Sequence, residues 1–170
     1  MTRSQKARRS GILCCHFLRN LAFYRSWHLA GRPLDDEQFW ITANGNFLDI
    51  AVLEWCKLFV DLKGKHYFSK ALEDPNQFKL DLIEHLRLAE AEFDDYIARL
   101  KSYRDKFIAH LDDDNIMHIP HLRIARRSVM FMYKRLLEQE AGNNTFIDAP
   151  PSPGTVYKEF LCQGTKSYGK

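Results

Sequence analysis

A chain of 170 residues that is 45% hydrophobic and 13% aromatic can fill the core of one domain. Charged residues make up 28%, and no stretch of about 20 apolar residues occurs, so no membrane-spanning helix is expected. The formal net charge is +3 but unevenly spread: residues 1–32 carry +7 with no acid, and the remainder carries −4.

That asymmetry suits an anionic partner, and it equally suits a solvated helix face. Leu13, Phe17, Leu18, Leu21 and Phe23 make the basic start core-forming, unlike a transit segment. Gly11–Phe17 is short for a secretory signal, and Arg19 follows it closely. The four cysteines, Cys14, Cys15, Cys56 and Cys162, form no C-x-x-C pair, so reduced thiols and a cytoplasmic setting are expected.

Residues 4–30 read as a helix with Ile12, Leu18, Leu21 and Leu29 inward, stopped by Gly31-Arg32-Pro33. Asp35 or Asp36 can cap a second helix running to about Leu62, with Phe47, Ile50, Ala51, Leu53, Trp55, Leu58 and Phe59 on its apolar face. Gly45, inside it, marks either a close helix approach or a bend. Lys63-Gly64-Lys65 ends that helix, and 67–73 forms a single turn. Asp74-Pro75 is a start signal, with Asp as cap and Pro at the first helical position. Helical periodicity then continues to about Leu111, too long for one globular helix, so a break is expected near Leu86–Glu90. Asp112–Asn115 interrupts the pattern. Pro120 opens a helix to about Glu140, with Leu122, Ala125, Val129, Met132, Tyr133 and Leu136 inward. Residues 146–154 read as a loop, and 155–162 as a short terminal helix. The expected fold is all-α: an antiparallel bundle of four to five helices over 1–145, followed by a tail at 146–170.

The stretch YIARLKSYRDKFIAHLDDD, from Tyr96 to Asp114, carries the chemistry. Phe93, Tyr96, Leu100, Tyr103, Phe107 and His110 are spaced 3-4-3-4-3, one stripe of a helix that ends on a histidine. Arg104 and His110 lie roughly 120° apart on an ideal α-helix. They can meet through the long arginine side chain, a distorted helix end, or a two-fold partner.

The run Arg104-Asp105-Lys106-Phe107-Ile108-Ala109-His110 resembles the signature of the HEPN superfamily: Arg, then Asp, Asn or His, then His after a few residues. Tyr103, Ala109 and Leu111-Asp112 fit the surroundings, and Leu53–Phe59 resembles the abortive-infection AbiU-type branch. The likeness spans roughly Phe39 to Leu137. It implies an all-helical homodimer acting as a metal-independent endoribonuclease with no cofactor. Arg104, Asp105 and His110 would be catalytic, and Tyr103 and Phe107 structural neighbours. Histidine moves protons near neutral pH, and arginine holds a phosphate fork-wise. The 2′-hydroxyl of RNA would be the nucleophile, giving a 2′,3′-cyclic phosphate. The resemblance also suggests a toxin or phage-defence role with an antitoxin or nucleotidyltransferase partner. Asp112 stands where relatives under such control carry a modifiable tyrosine. Non-catalytic members bind nucleotides, RNA or proteins, and that reading remains beside the first.

The helix after Pro120 carries Arg123, Arg126 and Arg127, a basic ridge suited to an RNA backbone or an ordinary charged face. His110, Asp112, Asp113, Asp114, His118 and His121 are dense enough to suggest metal ligands. Pro120 interrupts them, however, and no paired helical ligand motif occurs, so no metal is expected. His16, His28, His66 and His85 have no partner pattern, while Trp27, Trp40 and Trp55 read as core or interface.

Overall fold

The computed structural model describes residues 1–30, 37–109 and 119–168, apart from the side chains of Phe107 and Ala109. The described residues form α1 (Arg3–Leu29), α2 (Gln38–Phe59), α3 (Phe68–Ala71), α4 (Pro75–Leu86), α5 (Glu90–Tyr103), α6 (Arg123–Gln139) and α7 (Pro153–Tyr168). A π-helical segment, Arg104–Ala109, continues α5, and a 3₁₀ turn spans Asn144–Phe146. No strand occurs among the described residues, and none of their helices is long and apolar enough to cross a membrane. The chain is an all-α bundle, with α1 packed against α2, α3, α6 and α7.

The helix starts follow local chemistry. Thr2 and Gln5 form a reciprocal capping box at α1. Asp74 accepts from the backbone N–H of Gln77 at 2.9 Å, with Pro75 at the first helical position of α4. The long periodic stretch does break between Leu86 and Glu90. Arg87 takes a left-handed conformation (φ 57°) there. Its N–H donates to Glu84 O and that of Leu88 to Ile83 O, closing α4 with a Schellman motif. Leu88 and Ile83 both pack on the core, which holds the motif without a glycine.

Several faces differ from the periodic reading. On α1, Leu18 and Leu21 are buried, but Ile12 and Leu29 are exposed. The burial is carried instead by Ala7, Ser10, Gly11, Cys14, Asn20 and Ala22 among the large residues. A helix covered from several sides needs small residues where neighbours come close, and these do not register as an apolar stripe. Ile50 on α2 is 40% exposed, while Leu48, Val52 and Cys56 are buried. A Cβ at Gly45 would meet nothing within 4 Å, so no close helix approach occurs there, and α2 runs through it unbroken. That helix ends at Phe59, short of Leu62, and α6 begins at Arg123, after Pro120. The cap expected at Asp35 or Asp36 lies outside the described residues.

The C-terminal segment departs furthest from expectation. The helix read over 155–162 spans Pro153–Tyr168 and packs along α1. Val156, Tyr157, Gly164 and Tyr168 are buried, and Trp27 meets Tyr168 edge-on at 5.0 Å. Gly164 permits the approach: a Cβ there would fall 2.1 Å from Ser26 Oγ. The way into α7 is fastened by Glu140, which accepts hydrogen bonds from Thr145, Asn143 and Gln139. Burial pushes the Glu140 carboxyl up, but these bonds, with one from Ser4, outweigh it and hold it below its ordinary value.

Gly164→Ala should lower unfolding free energy by about 1–3 kcal/mol through overpacking, while Gly45→Ala, in open space, should raise it by about 1 kcal/mol; denaturant titration reads both. Because the folded Glu140 carboxyl is depressed, its stabilisation is complete above the unfolded value and is lost as pH falls through the folded one. Acid melting curves should therefore show less pH dependence in Glu140→Gln than in the parent protein.

Candidate functional site

Tyr103 closes the α-helical part of α5, and Arg104 opens the π-helical part. Wide-turn helix of this kind recurs at functional positions. A distorted helix end is one of the three routes by which Arg104 could meet His110, and over Arg104–Ala109 the ideal α-helical angle does not apply. His110 itself, with Leu111, Asp112, Asp113, Asp114 and His118, lies outside the described residues, as does the side chain of Phe107.

Arg104 is fixed by two carboxylates. Its Nε donates to Asp105 at 2.9 Å and its Nη1 to Asp61 at 2.6 Å, with only 16% of the side chain exposed. Burial disfavours the charge, but the two carboxylates outweigh it and keep the guanidinium fully protonated. The thiol of Cys56 is a further hydrogen-bond partner of the guanidinium. Asp61 was not among the expected site residues. It follows α2, 43 positions before Arg104. Its one local signal is an acid set among Lys57, Lys63 and Lys65 at the end of an apolar helix.

Tyr103 is buried, and its hydroxyl donates to Asp49 at 3.2 Å. Burial raises the Asp49 carboxyl and the Tyr103 hydroxyl bond lowers it, with a net rise. Beneath Arg104 lies Cys56, fully buried, its thiol pushed up to about 12 by burial against the opposing pull of Arg104. A thiol held so far from ionisation is a packing group, not a nucleophile.

The basic ridge divides into different roles. Arg123 is exposed. Arg126 stacks 5.0 Å over Tyr157, tying α6 to α7. Arg127 donates to the backbone carbonyls of Leu86 (3.0 Å) and His85, closing the C-terminal end of α4. Arg123 and Arg127 line a groove of about 800 Å³ that also takes in Arg99, Tyr103, Lys106 and His121, and so runs beside the Arg104 segment.

The upper end of that groove depends on one hydroxyl. α6 has no side-chain cap of its own. Tyr96 supplies it from α5: its OH donates to His121 O at 3.0 Å and accepts from Ala125 N–H at 3.2 Å. Of the histidines without a sequence pattern, His16 lies 3.9 Å from Glu54 and His85 stacks on Phe131. No cluster of three metal-ligating side chains occurs among the described residues, of which His121 is the only member of the set considered from sequence.

Compared with protein-family profiles, curated proteins and solved structures, the chain matches none.

Tyr96→Phe removes both groove-side hydrogen bonds and leaves a buried amide unpaired, at a cost of about 1–3 kcal/mol. Hydrogen exchange should then quicken at the first turn of α6 while α1 is unaffected. All four cysteines are free thiols. A thiol reagent at mildly alkaline pH should modify exposed Cys162 at once and buried Cys14 and Cys56 only on unfolding.

Proposed function

We propose that this protein is a metal-independent endoribonuclease of HEPN type, working in the cytoplasm as a homodimer in which Arg104, Asp105 and His110 of each subunit serve a shared cleft. The reading rests on the Arg104-Asp105…His110 string, and its main structural support is the pre-oriented Arg104. A guanidinium held on two sides by Asp61 and Asp105 loses little orientational freedom on meeting a phosphate. In this scheme it stabilises charge that builds on phosphorus as the 2′-hydroxyl attacks. His110 takes the 2′-hydroxyl proton in this scheme, and its counterpart from the second subunit protonates the 5′-oxygen that leaves. The bond formed is O2′–P and the bond broken is P–O5′, which leaves a 2′,3′-cyclic phosphate and a 5′-hydroxyl. An antitoxin or nucleotidyltransferase partner belongs to the same proposal; Asp112, in the place of a modifiable tyrosine, speaks against control by tyrosine modification.

One observation favours a second reading. Two carboxylates already engage the one guanidinium, so Arg104 has less charge to offer a transition state, which suits a non-catalytic domain that binds its partner through other residues.

Incubation of the purified protein with single-stranded RNA in excess chelator separates the two. Cleavage to cyclic-phosphate ends, lowered at least 100-fold in His110→Ala and Arg104→Ala with circular dichroism unchanged, is the expected result. RNA binding without cleavage establishes the second reading, and equal cleavage by His110→Ala removes the catalytic assignment.

A further inference from the structure

The described lining of the groove beside Arg104 narrows the chemistry of what it can bind. That lining holds Arg99, Lys106, Arg123 and Arg127 and no aspartate or glutamate. Arg99 and Arg123 are solvent-exposed, one on α5 and the other on α6, so positive charge stands on both rims. The rest of the lining is mainly apolar, with Leu88, Ile119 and Ile124 as an aliphatic surface taken as the floor, and Ile119 is 42% exposed. A groove of about 800 Å³ with cationic rims and an apolar floor fits a ligand that is anionic along its edges and flat and apolar between them.

We propose that this groove binds a single-stranded RNA segment adjoining the phosphodiester at Arg104, with phosphates on Arg99 and Arg123 and unpaired bases on the Leu88–Ile119–Ile124 floor. The choice of ligand rests on the ribonuclease reading, but binding here needs no catalysis. In an A-form duplex the base faces are stacked inside, and only sugars, phosphates and groove edges are presented. Such a duplex could satisfy the rims and leave the floor wet. A single strand can turn its bases onto the floor, and contact with the flat faces of bases discriminates little between sequences. The groove thus selects for strandedness, not for sequence.

The test uses the full chain and a fluorescein-labelled 2′-O-methyl oligoribonucleotide, which lacks the attacking hydroxyl and so survives the assay, as a single strand and as a duplex. Polarisation should show the single strand bound at least tenfold more tightly. In Arg99→Ala/Arg123→Ala, affinity should fall and the slope of log K against log salt should become shallower by about 1.4, for two lost phosphate contacts. Ile119→Asn should weaken single-strand binding with the slope unchanged. Equal affinity for duplex and single strand, or an arginine double variant with parental affinity and slope, would overturn the proposal. If that double variant still cleaves RNA and binds as the parent does, the groove assignment falls and the nuclease reading stands. If the parent never cleaves but shows the expected binding pattern, the nuclease reading falls and the groove assignment stands.

Discussion

Trp55 is the member on which the bundle converges. Its indole is fully buried, and its N–H donates to Ser128 Oγ at 2.9 Å. Ser128 in turn donates to Ala125 O, one turn back along α6. Tyr96 meets the indole edge-on at 5.5 Å and, through its hydroxyl, the N–H of that same Ala125. A residue from α2, one from α5 and the first turn of α6 are thereby locked in a single dry network. Such a network is stable because every polar atom in it is answered, and breaking one link leaves a buried group unpaired. The Arg104 segment and the groove are both built on the elements that Trp55 joins.

The site differs in kind from this core. Asp61 follows α2, and Arg104 follows α5, so their ion pair spans the place where two helices end. Trp55 and Cys56, buried just before the end of α2, fix where Asp61 stands. The guanidinium is therefore oriented by the packing behind it as well as by the carboxylates beside it. Orientation set from the core outward matters for any arginine whose fork must match a planar partner, because its usefulness depends on angle as well as charge.

Much of this was legible in the sequence, and the gaps have physical causes. The all-α class follows from apolar periodicity, and the break at Leu86–Glu90 followed from length alone, since Arg87 gives no chemical warning. The faces of α1 and the extent of α7 were less legible. Where helices nearly touch, Gly164 and Ser26 replace large residues, and a glycine reads as a breaker when it is in fact a spacer. Pro150, Pro151 and Pro153 similarly suggest a loop, although Pro153 begins a helix. Within the site, the Arg104-Asp105 pair stands in the sequence, whereas Asp61 belongs to it only through tertiary packing. Arg126 and Arg127 looked like equal members of a cationic ridge, and only their partners Tyr157 and the α4 carbonyls tell them apart from Arg123.

The seam between α1 and α7 joins residues near Ser26 to residues near Gly164, almost the whole length of the chain. During vectorial synthesis α1 leaves the ribosome with one flank bare and waits for a helix translated more than a hundred residues later. Contacts between such distant segments form late, because the entropy of closing so large a loop must be overcome first. Until then, the nascent chain presents the Trp27 side of α1 to the surrounding water.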